Sequence, residues 1–381
     1  MGQQKKIIYM TFPSRKKFSI LIMASVRWYN ASAHYALSLA QCLKKAGIRV
    51  VLFGIPQSPV IIKSKELGID IFDKINLMNK NPVNYLLNIN KFRKMIIEKK
   101  INIIHPHISR DHTFSYLALM RKNAFIIRTR SDAIPPKNHI LNKFFYSYSA
   151  RHYTVPAQYM KSFLKSMDIS DRQISVVPQG INYRDFADYT PCRDIKNELG
   201  IPANRAVVSF IGRLDTIKGV EHFIKSYSFL KDKTRYHFII SGEEINISVN
   251  SLKKIADQIN IKNISFIERV NDVRDLLSIT DIGVIPSIGS EAICRIALEM
   301  LSFGIPIIGS NINSIPETIA YYNGIVVTPG KPEEIAIALE KLIKGDYFKK
   351  IGKDIKLKIK REAPEKFLSE YLNIYSTLLG D

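Results

Sequence analysis

Short apolar runs alternate with amphipathic stretches along this chain, and they do so in two successive series. In the first, residues 19–24 read as a buried strand, 31–46 as a helix closed by Gly47, and 49–53 as a second strand. A further run at 101–104 ends in His105-Pro106-His107 and leads to a helix expected over 112–120. Runs at 125–128, 153–155 and 174–177 continue the rhythm, which predicts a parallel sheet with helices on both faces. Pro178-Gln179-Gly180 and the polar stretch through Pro191 interrupt it, as an interdomain connection would. The second series places strands at 207–211, 237–241, 264–267, 282–286, 305–309 and 325–328, then a helix at 332–343. A last helix covers 364–379. At 381 residues the chain exceeds one ordinary core. The expectation is an α/β protein of two doubly wound, Rossmann-like domains, 1–185 and 186–363. Such domains leave a cleft, with ligands at the carboxyl ends of their strands.

One stretch concentrates the candidate chemistry. Residues 282–308, IGVIPSIGSEAICRIALEMLSFGIPII, read as strand, small-residue loop, helix and strand. The helix is expected from Ala292 to Phe303, with Ile293, Ile296, Ala297, Met300 and Leu301 on one face and Gly304 as its stop. Glu291 then stands at the helix entrance and Glu299 about two turns in. A helix N-terminus at the end of a parallel strand attracts anions, while two carboxylates beside it suit hydroxyls. A ligand carrying both, such as a sugar nucleotide, fits that combination.

Composition narrows the class. Hydrophobic content of 46% and charged content of 24% describe a soluble globular protein. No apolar run approaches the ~20 residues a membrane span requires. The amino terminus lacks the apolar core of a signal peptide, and Lys6 stands where a myristoylation signal has Ser or Thr. Cys42, Cys192 and Cys294 have no paired spacing, which fits a reducing cytoplasm and argues against structural zinc. The net charge of +22 is unevenly spread. Residues 1–185 hold 30 Lys plus Arg against 9 Asp plus Glu, and 186–381 hold 26 against 25. The first half is therefore expected to face a polyanion, and Lys5, Lys6, Arg15, Lys16 and Lys17 in the acid-free leader suit an anionic membrane. Residues 344–361 add a second basic stretch, eight basic to two acidic.

The strand at 207–211 runs into Gly212-Arg213-Leu214-Asp215-Thr216-Ile217-Lys218-Gly219 and a helix. Arg213 and Lys218 are placed to lean toward the cleft and, with the helix near Ala292, to grip a diphosphate from two sides. The Gly-Lys-Ser/Thr of a P-loop is missing. Gly-Arg-Leu-Asp-x-x-Lys-Gly, followed by Pro-Ser-x-x-Ser-Glu and a second Glu after seven residues, resembles the retaining glycosyltransferases of family four, which have the GT-B fold. His-Pro-His and Val-Pro-Gln-Gly-Ile are similar to the same family, so the likeness runs over nearly the whole chain.

The resemblance implies a donor diphosphate held by Arg213 and Lys218, ribose hydroxyls on Glu299, and hydroxyls of the transferred sugar on Glu291. Main-chain N–H groups of Ile293 and Cys294 would complete the phosphate site. His107, with His105, would reach the sugar from the first domain, and the 267–270 loop, Val270 included, would touch the base through its main chain. It makes His107, Glu291, Arg213 and Lys218 the catalytic set. It also implies that the helix 364–381 packs back on the first domain. Departures are Ala292-Ile293-Cys294 in place of Gly-Phe-Gly, Asn30-Ala31 in place of a glycine pair, and Ser241-Gly242-Glu243-Glu244 without a second glycine. Asp111 and the segment 128–132 are candidate acceptor contacts. No metal motif is evident, so the expected chemistry needs no metal or other cofactor beyond a UDP- or GDP-linked co-substrate. The partners expected are that nucleotide sugar, a lipid-linked or glycan acceptor of envelope polysaccharide or lipopolysaccharide synthesis, and an anionic membrane, with the protein peripheral on the inner face of the plasma membrane. Two other readings remain: a GT-B sugar-nucleotide epimerase or hydrolase, and a basic nucleic-acid-binding protein, for which no recognition motif is present.

Overall fold

The computed structural model describes residues 18–78, 81–119, 124–191, 193–268, 270, 272–289 and 291–380. The basic leader, Met120, Cys192 and Ser290 lie outside these. Two parallel sheets carry the fold. The first has seven strands: β1 (Ser19–Met23), β2 (Arg49–Phe53), β3 (Asp70–Phe72), β4 (Ile103–Pro106), β5 (Phe125–Thr129), β6 (His152–Val155) and β7 (Ile174–Val176). Their order is β3-β2-β1-β4-β5-β6-β7. The second has six: β8 (Ala206–Ile211), β9 (Tyr236–Ser241), β10 (Ile264–Ile267), β11 (Ile282–Ile285), β12 (Ile307–Ser310) and β13 (Ile325–Val327), ordered β10-β9-β8-β11-β12-β13. Strands such as β1 and β8–β9 are buried on both faces, which is why they read as continuous apolar runs rather than alternating ones.

In each sheet the winding reverses next to the first strand. The crevice outside the carboxyl ends falls between β1 and β4 in the first domain and between β8 and β11 in the second. His107 follows β4, Lys218 follows β8 and Glu291 follows β11, so chain topology alone delivers these side chains to the two reversal points.

Two apolar clusters cover the faces of the first sheet. On one side the helices Pro82–Glu98, Ser109–Leu119 and Ile140–Ser149 bury Phe92, Phe114 and Tyr146 among others. On the other, Ala31–Lys45 packs with the final helix Pro364–Leu379, whose Phe367, Tyr371, Leu372 and Tyr375 join the same cluster as β1 and β2. The chain thus crosses to the second domain at about residue 180 and returns, with Ile181 N–H bonded to the Glu362 carbonyl at 2.8 Å. The helices Pro59–Glu66, Pro82–Glu98 and Ile140–Ser149 and the three-residue β3 had no counterpart in the sequence reading. β3 is an edge strand, too short for a period to show. Among the described residues no helix is long and apolar enough to cross a membrane.

Phe367 is buried, its ring edge-on to Tyr35 at 5.1 Å and to Tyr371 at 5.3 Å. Emptying that site by Phe367→Ala is expected to cost about 3–5 kcal/mol, read as a fall in the denaturation midpoint. An unchanged midpoint would show that the final helix contributes nothing to the first core.

Candidate active site

The second-domain half is built by two loops pressed together. Gly219 closes the turn after β8 at φ +70°, and a Cβ there would lie 2.0 Å from the carbonyl oxygen of Pro286, at the end of β11. Only glycine permits this approach. The N–H groups of Ile288 and Gly289 both donate to the Ile217 carbonyl, at 2.9 and 3.2 Å. Gly242 performs the same service after β9, because a Cβ there would meet the Gly212 oxygen at 1.7 Å. With the loops fixed, Lys218 Nζ bonds Glu291 Oε1, which also accepts from Ser287 Oγ at 2.8 Å. Both partners are largely buried. Ser314 holds the Glu291 carbonyl through its hydroxyl at 2.7 Å. Arg213 stands apart: its guanidinium is half exposed and lies 3.9 Å from Asp215. The two cations expected to act alike therefore differ, one locked in a buried pair and one projecting into solvent.

The helix expected from Ala292 begins only at Arg295 and ends at Phe303. Cys294 is non-helical (ψ 73°), and Arg295 N–H turns back to the Ile293 carbonyl at 3.0 Å. The cause is packing in two directions. Ile293 enters the first-domain apolar cluster while Cys294 enters the second-domain core, so the segment bridges the cleft before it can coil. Glu291 is consequently a loop residue four positions ahead of the helix, not its first turn. The N–H groups of Ile293 and Cys294 meet no acceptor among the described residues. Burial pushes the Cys294 thiol well up, so it stays protonated. Glu299 is buried on the helix, paired to Arg295 Nε at 2.6 Å, and its carboxyl is raised by burial against the lowering effect of Arg295. Val270 is half-buried beyond β10, at the edge of the sheet.

The first-domain half is more deeply buried than its sequence suggested. His105 and His107 stack at 4.6 Å between centroids, and neither is exposed. His105 Nδ1 bonds the Tyr375 hydroxyl at 2.8 Å and Nε2 the Thr129 hydroxyl at 2.6 Å. Both its nitrogens are thus committed beneath the final helix, which departs from the expectation that it reaches the sugar. His107 keeps two buried ring nitrogens without a partner. Burial holds both rings neutral, His105 at about 3 and His107 well below the ordinary imidazole value.

Several residues not foreseen as site residues converge here. His34 lies on the helix Ala31–Lys45, bonded to the Gln179 amide, and burial and Arg295 bring it to about 3. Arg295 thus acts across the cleft on the first domain. Gln179 Oε1 is buried and unpartnered. The RWYNASAHY segment proves to be a helix start: Asn30 caps Ala33 N–H at 2.9 Å, and Tyr35 bonds the Val177 carbonyl at 2.6 Å. The Glu317 carboxylate spans the domains to the N–H groups of Gln158 and Tyr159, at 2.6 and 3.3 Å. Asn30 before an apolar-periodic run was the sequence signal for the cap; Gln179 stood in the Val-Pro-Gln-Gly-Ile stretch, which was read only as an interdomain connection and a family likeness. Of the acceptor candidates, Arg128 is fully buried, donating to the Pro106 carbonyl at 3.0 Å. Asp132 pairs with Arg130 at 3.1 Å. Asp111 is buried, takes the Ser25 N–H at 2.8 Å, and leaves Oδ1 unpartnered.

Comparison with known proteins bears on this arrangement. Residues 32–184 match the family described as Glycosyltransferase Family 4, and 192–360 that described as Glycosyl transferases group 1. The chain belongs to glycosyltransferase family four. It is accordingly an enzyme of glycosyl transfer with the GT-B fold. An uncharacterized glycosyltransferase of Methanocaldococcus jannaschii is 24% identical over 70% of this chain and 71% of its own. The UDP-Gal:alpha-D-GlcNAc-diphosphoundecaprenol alpha-1,3-galactosyltransferase of Escherichia coli is 29% identical over 39% of this chain and 40% of its own. The crystal structure of Anabaena HepE in complex with UDP covers 94% of this chain and 100% of that one, with a TM-score of 0.82 at 14% identity. Several of the curated relatives align over only about half of their length.

Burial raises the Asp111 carboxyl from its ordinary 3.8 to about 6. The fold therefore favours the protonated acid. Its contribution is full below the unfolded value and fades as pH rises through about 6, by up to ~3 kcal/mol. Asp111→Asn should remove that slope: the stability difference between variant and parent is expected to shift toward the variant from pH 4 to pH 7.5 in urea titrations. A difference independent of pH would show that Asp111 ionises without penalty.

Proposed function

We propose that this glycosyltransferase moves a sugar from a UDP- or GDP-linked donor to a lipid-linked or glycan acceptor of the cell envelope, with retention of anomeric configuration and without a metal ion. The observation that carries the reading is the Lys218–Glu291 pair, held at the reversal point of the second sheet beside the Arg295–Glu299 pair. Two cations and two carboxylates neutralise one another there. A nucleoside diphosphate sugar brings the complements of both: phosphates for Lys218 and, from its half-exposed position, Arg213, and hydroxyls for Glu291 and Glu299. Ile293 and Cys294 N–H groups, having no acceptor among the described residues, suit a phosphate oxygen. UDP in the Anabaena protein and the diphosphoundecaprenol acceptor in the name of the Escherichia coli enzyme support the donor and acceptor classes.

As the donor breaks, negative charge grows on the diphosphate, and fixed cations favour that state over the intact donor. Neutral, buried His107, with both nitrogens unpartnered, would meet the sugar as a hydrogen-bonding group rather than a charge. His105 positions it by stacking. The main chain at Val270, beyond β10, would meet the base. Screening a panel of nucleotide sugars by thermal shift, then following product with acceptor present, tests the reading. A product whose anomeric proton shows the donor's configuration is expected. Donor consumed equally without acceptor would indicate the epimerase or hydrolase alternative, and an inverted linkage would remove the roles of Glu291 and His107.

The two glutamates are expected to serve different hydroxyls, since Glu291 lies in the loop near Lys218 and Glu299 inside the helix. Glu299→Gln should weaken binding of both free nucleoside diphosphate and donor, each by about tenfold, as loss of a charge-assisted hydrogen bond does. Glu291→Gln should spare the nucleoside diphosphate and weaken the donor alone. Calorimetry with both ligands on both variants decides it, and equal losses for both ligands would refute the division.

A further inference from the structure

An amphipathic helix ordinarily turns its apolar stripe to the core, and one helix of the first domain does the reverse. Ile140–Ser149 buries Tyr146 and Ser149. Its Ile140, Leu141, Phe144 and Tyr148, spaced to share a stripe, stand outward with Ile134 of the preceding loop, each 64–77% exposed. The Phe144 and Tyr148 rings touch each other, 4.8 Å between centroids. Two helices away, Pro82–Glu98 repeats the pattern, with Val83, Leu86 and Leu87 of its first turns 52–65% exposed. Ser109–Leu119 lies between them, tied to one side by Tyr85 against Phe114 and to the other by Tyr116 against Phe145. The Pro82–Glu98 and Ile140–Ser149 helices follow β3 and β5, so their amino-terminal turns sit at the carboxyl rim of the sheet. The rim of the cleft is therefore edged by an apolar band in two patches, with exposed Arg110 and Thr113 of the helix Ser109–Leu119 between them.

Charge around the band is predominantly positive. Residues 74–149 hold 14 Lys plus Arg against 3 Asp plus Glu. None of the three acids is free at the rim: Asp111 is buried, Asp132 is paired to Arg130, and Glu98 closes its helix at the far end beside Lys94. Lys74, Arg110 and Lys137 are exposed at the same rim. An apolar band fringed by cations and without free carboxylates is the surface that enters the headgroup region of an anionic bilayer.

We infer that this rim, Ile134 with the first turns of the helices Ile140–Ser149 and Pro82–Glu98, is the surface by which the enzyme docks on an anionic lipid bilayer, opening the cleft directly onto the membrane. The inference rests on the proposal that the acceptor is held in the membrane, and it assigns docking to residues other than the basic leader. Apolar insertion gives the attachment and the lysines and Arg110 add attraction, so salt weakens binding without abolishing it.

The test is vesicle sedimentation of the full chain with phosphatidylcholine vesicles, with and without phosphatidylglycerol, at two salt concentrations. The parent is expected to bind the anionic vesicles and to retain part of that binding in high salt. Leu141→Ser with Phe144→Ser should lower partitioning at least about tenfold, while Ile337→Ser, an equally exposed apolar residue of the second domain, should leave it unchanged. Nucleotide-sugar thermal shift of each variant separates this inference from the functional reading: the double variant should keep the parent's response. Failure of the parent to respond to any nucleotide sugar would strike the functional reading, whatever the vesicles show. Parent-like partitioning of the double variant, or complete loss of binding in high salt, would overturn the docking surface. So would a parent that ignores vesicles but is a dimer that the double variant splits, because the band would then be an interface between copies.

Discussion

The site depends on how closely two backbones approach where β8 and β11 end. The turn at Gly219 lies against the Pro286 carbonyl with no room for a side chain, and the Ile217 carbonyl takes both N–H groups of the neighbouring loop. That contact sets Lys218 facing Glu291. A buried ion pair gives little net stability, since desolvating two charges offsets most of their attraction. Here the Ser287 hydroxyl and the Ser314 bonds to the Glu291 backbone supply the further hydrogen bonds such a pair requires. Stability alone therefore does not account for the pair, which is consistent with the site role proposed for it.

Much of this was legible in the sequence because fully buried parallel strands leave continuous apolar runs, and because a strand followed by Gly-Arg-Leu-Asp and later by Ser-Glu has few placements. The placement of Lys218 and Glu291 after β8 and β11 could be read off on that basis, whereas the roles expected of them and of Glu299 came from the resemblance. What escaped were features decided by contacts distant in sequence. The helix start moved from Ala292 to Arg295 because Ile293 packs on the opposite domain, which no local periodicity encodes. His105 looked like a ligand group beside His107, yet its two nitrogens are taken by Thr129 and by Tyr375, 270 residues away. The apolar stripe of Ile140–Ser149 has ordinary amphipathic spacing, and only packing tells which face is out.

The first domain shows how a dry interior is made from polar residues. Tyr371 shares hydrogen bonds with Tyr35, Thr129 and Thr154 at 2.9–3.1 Å, and Tyr375 caps His105. These hydroxyls satisfy one another in a region that also holds Arg128, so the low local dielectric keeps the histidines neutral. The final helix is thereby more than a lid of apolar residues. It completes the hydrogen-bonding network around His105, on which His107 stacks.

The ion pairs at the cleft also constrain how the enzyme meets its donor. Lys218 and Arg295 are each already neutralised by a carboxylate, so a diphosphate does not fall into an empty cationic pocket. On the proposed reading the donor's phosphates would approach Lys218 and Arg295 while its hydroxyls bond Glu291 and Glu299, and binding would measure only the difference between the two sets of contacts. Free phosphate would offer nothing to the two carboxylates, which would keep their cations. A ligand that supplies hydroxyls at the same time leaves no charge unsatisfied. On that reading, pairing each cation with a carboxylate in the ligand-free protein would favour a phosphate joined to a sugar, before any contact reads which sugar it is.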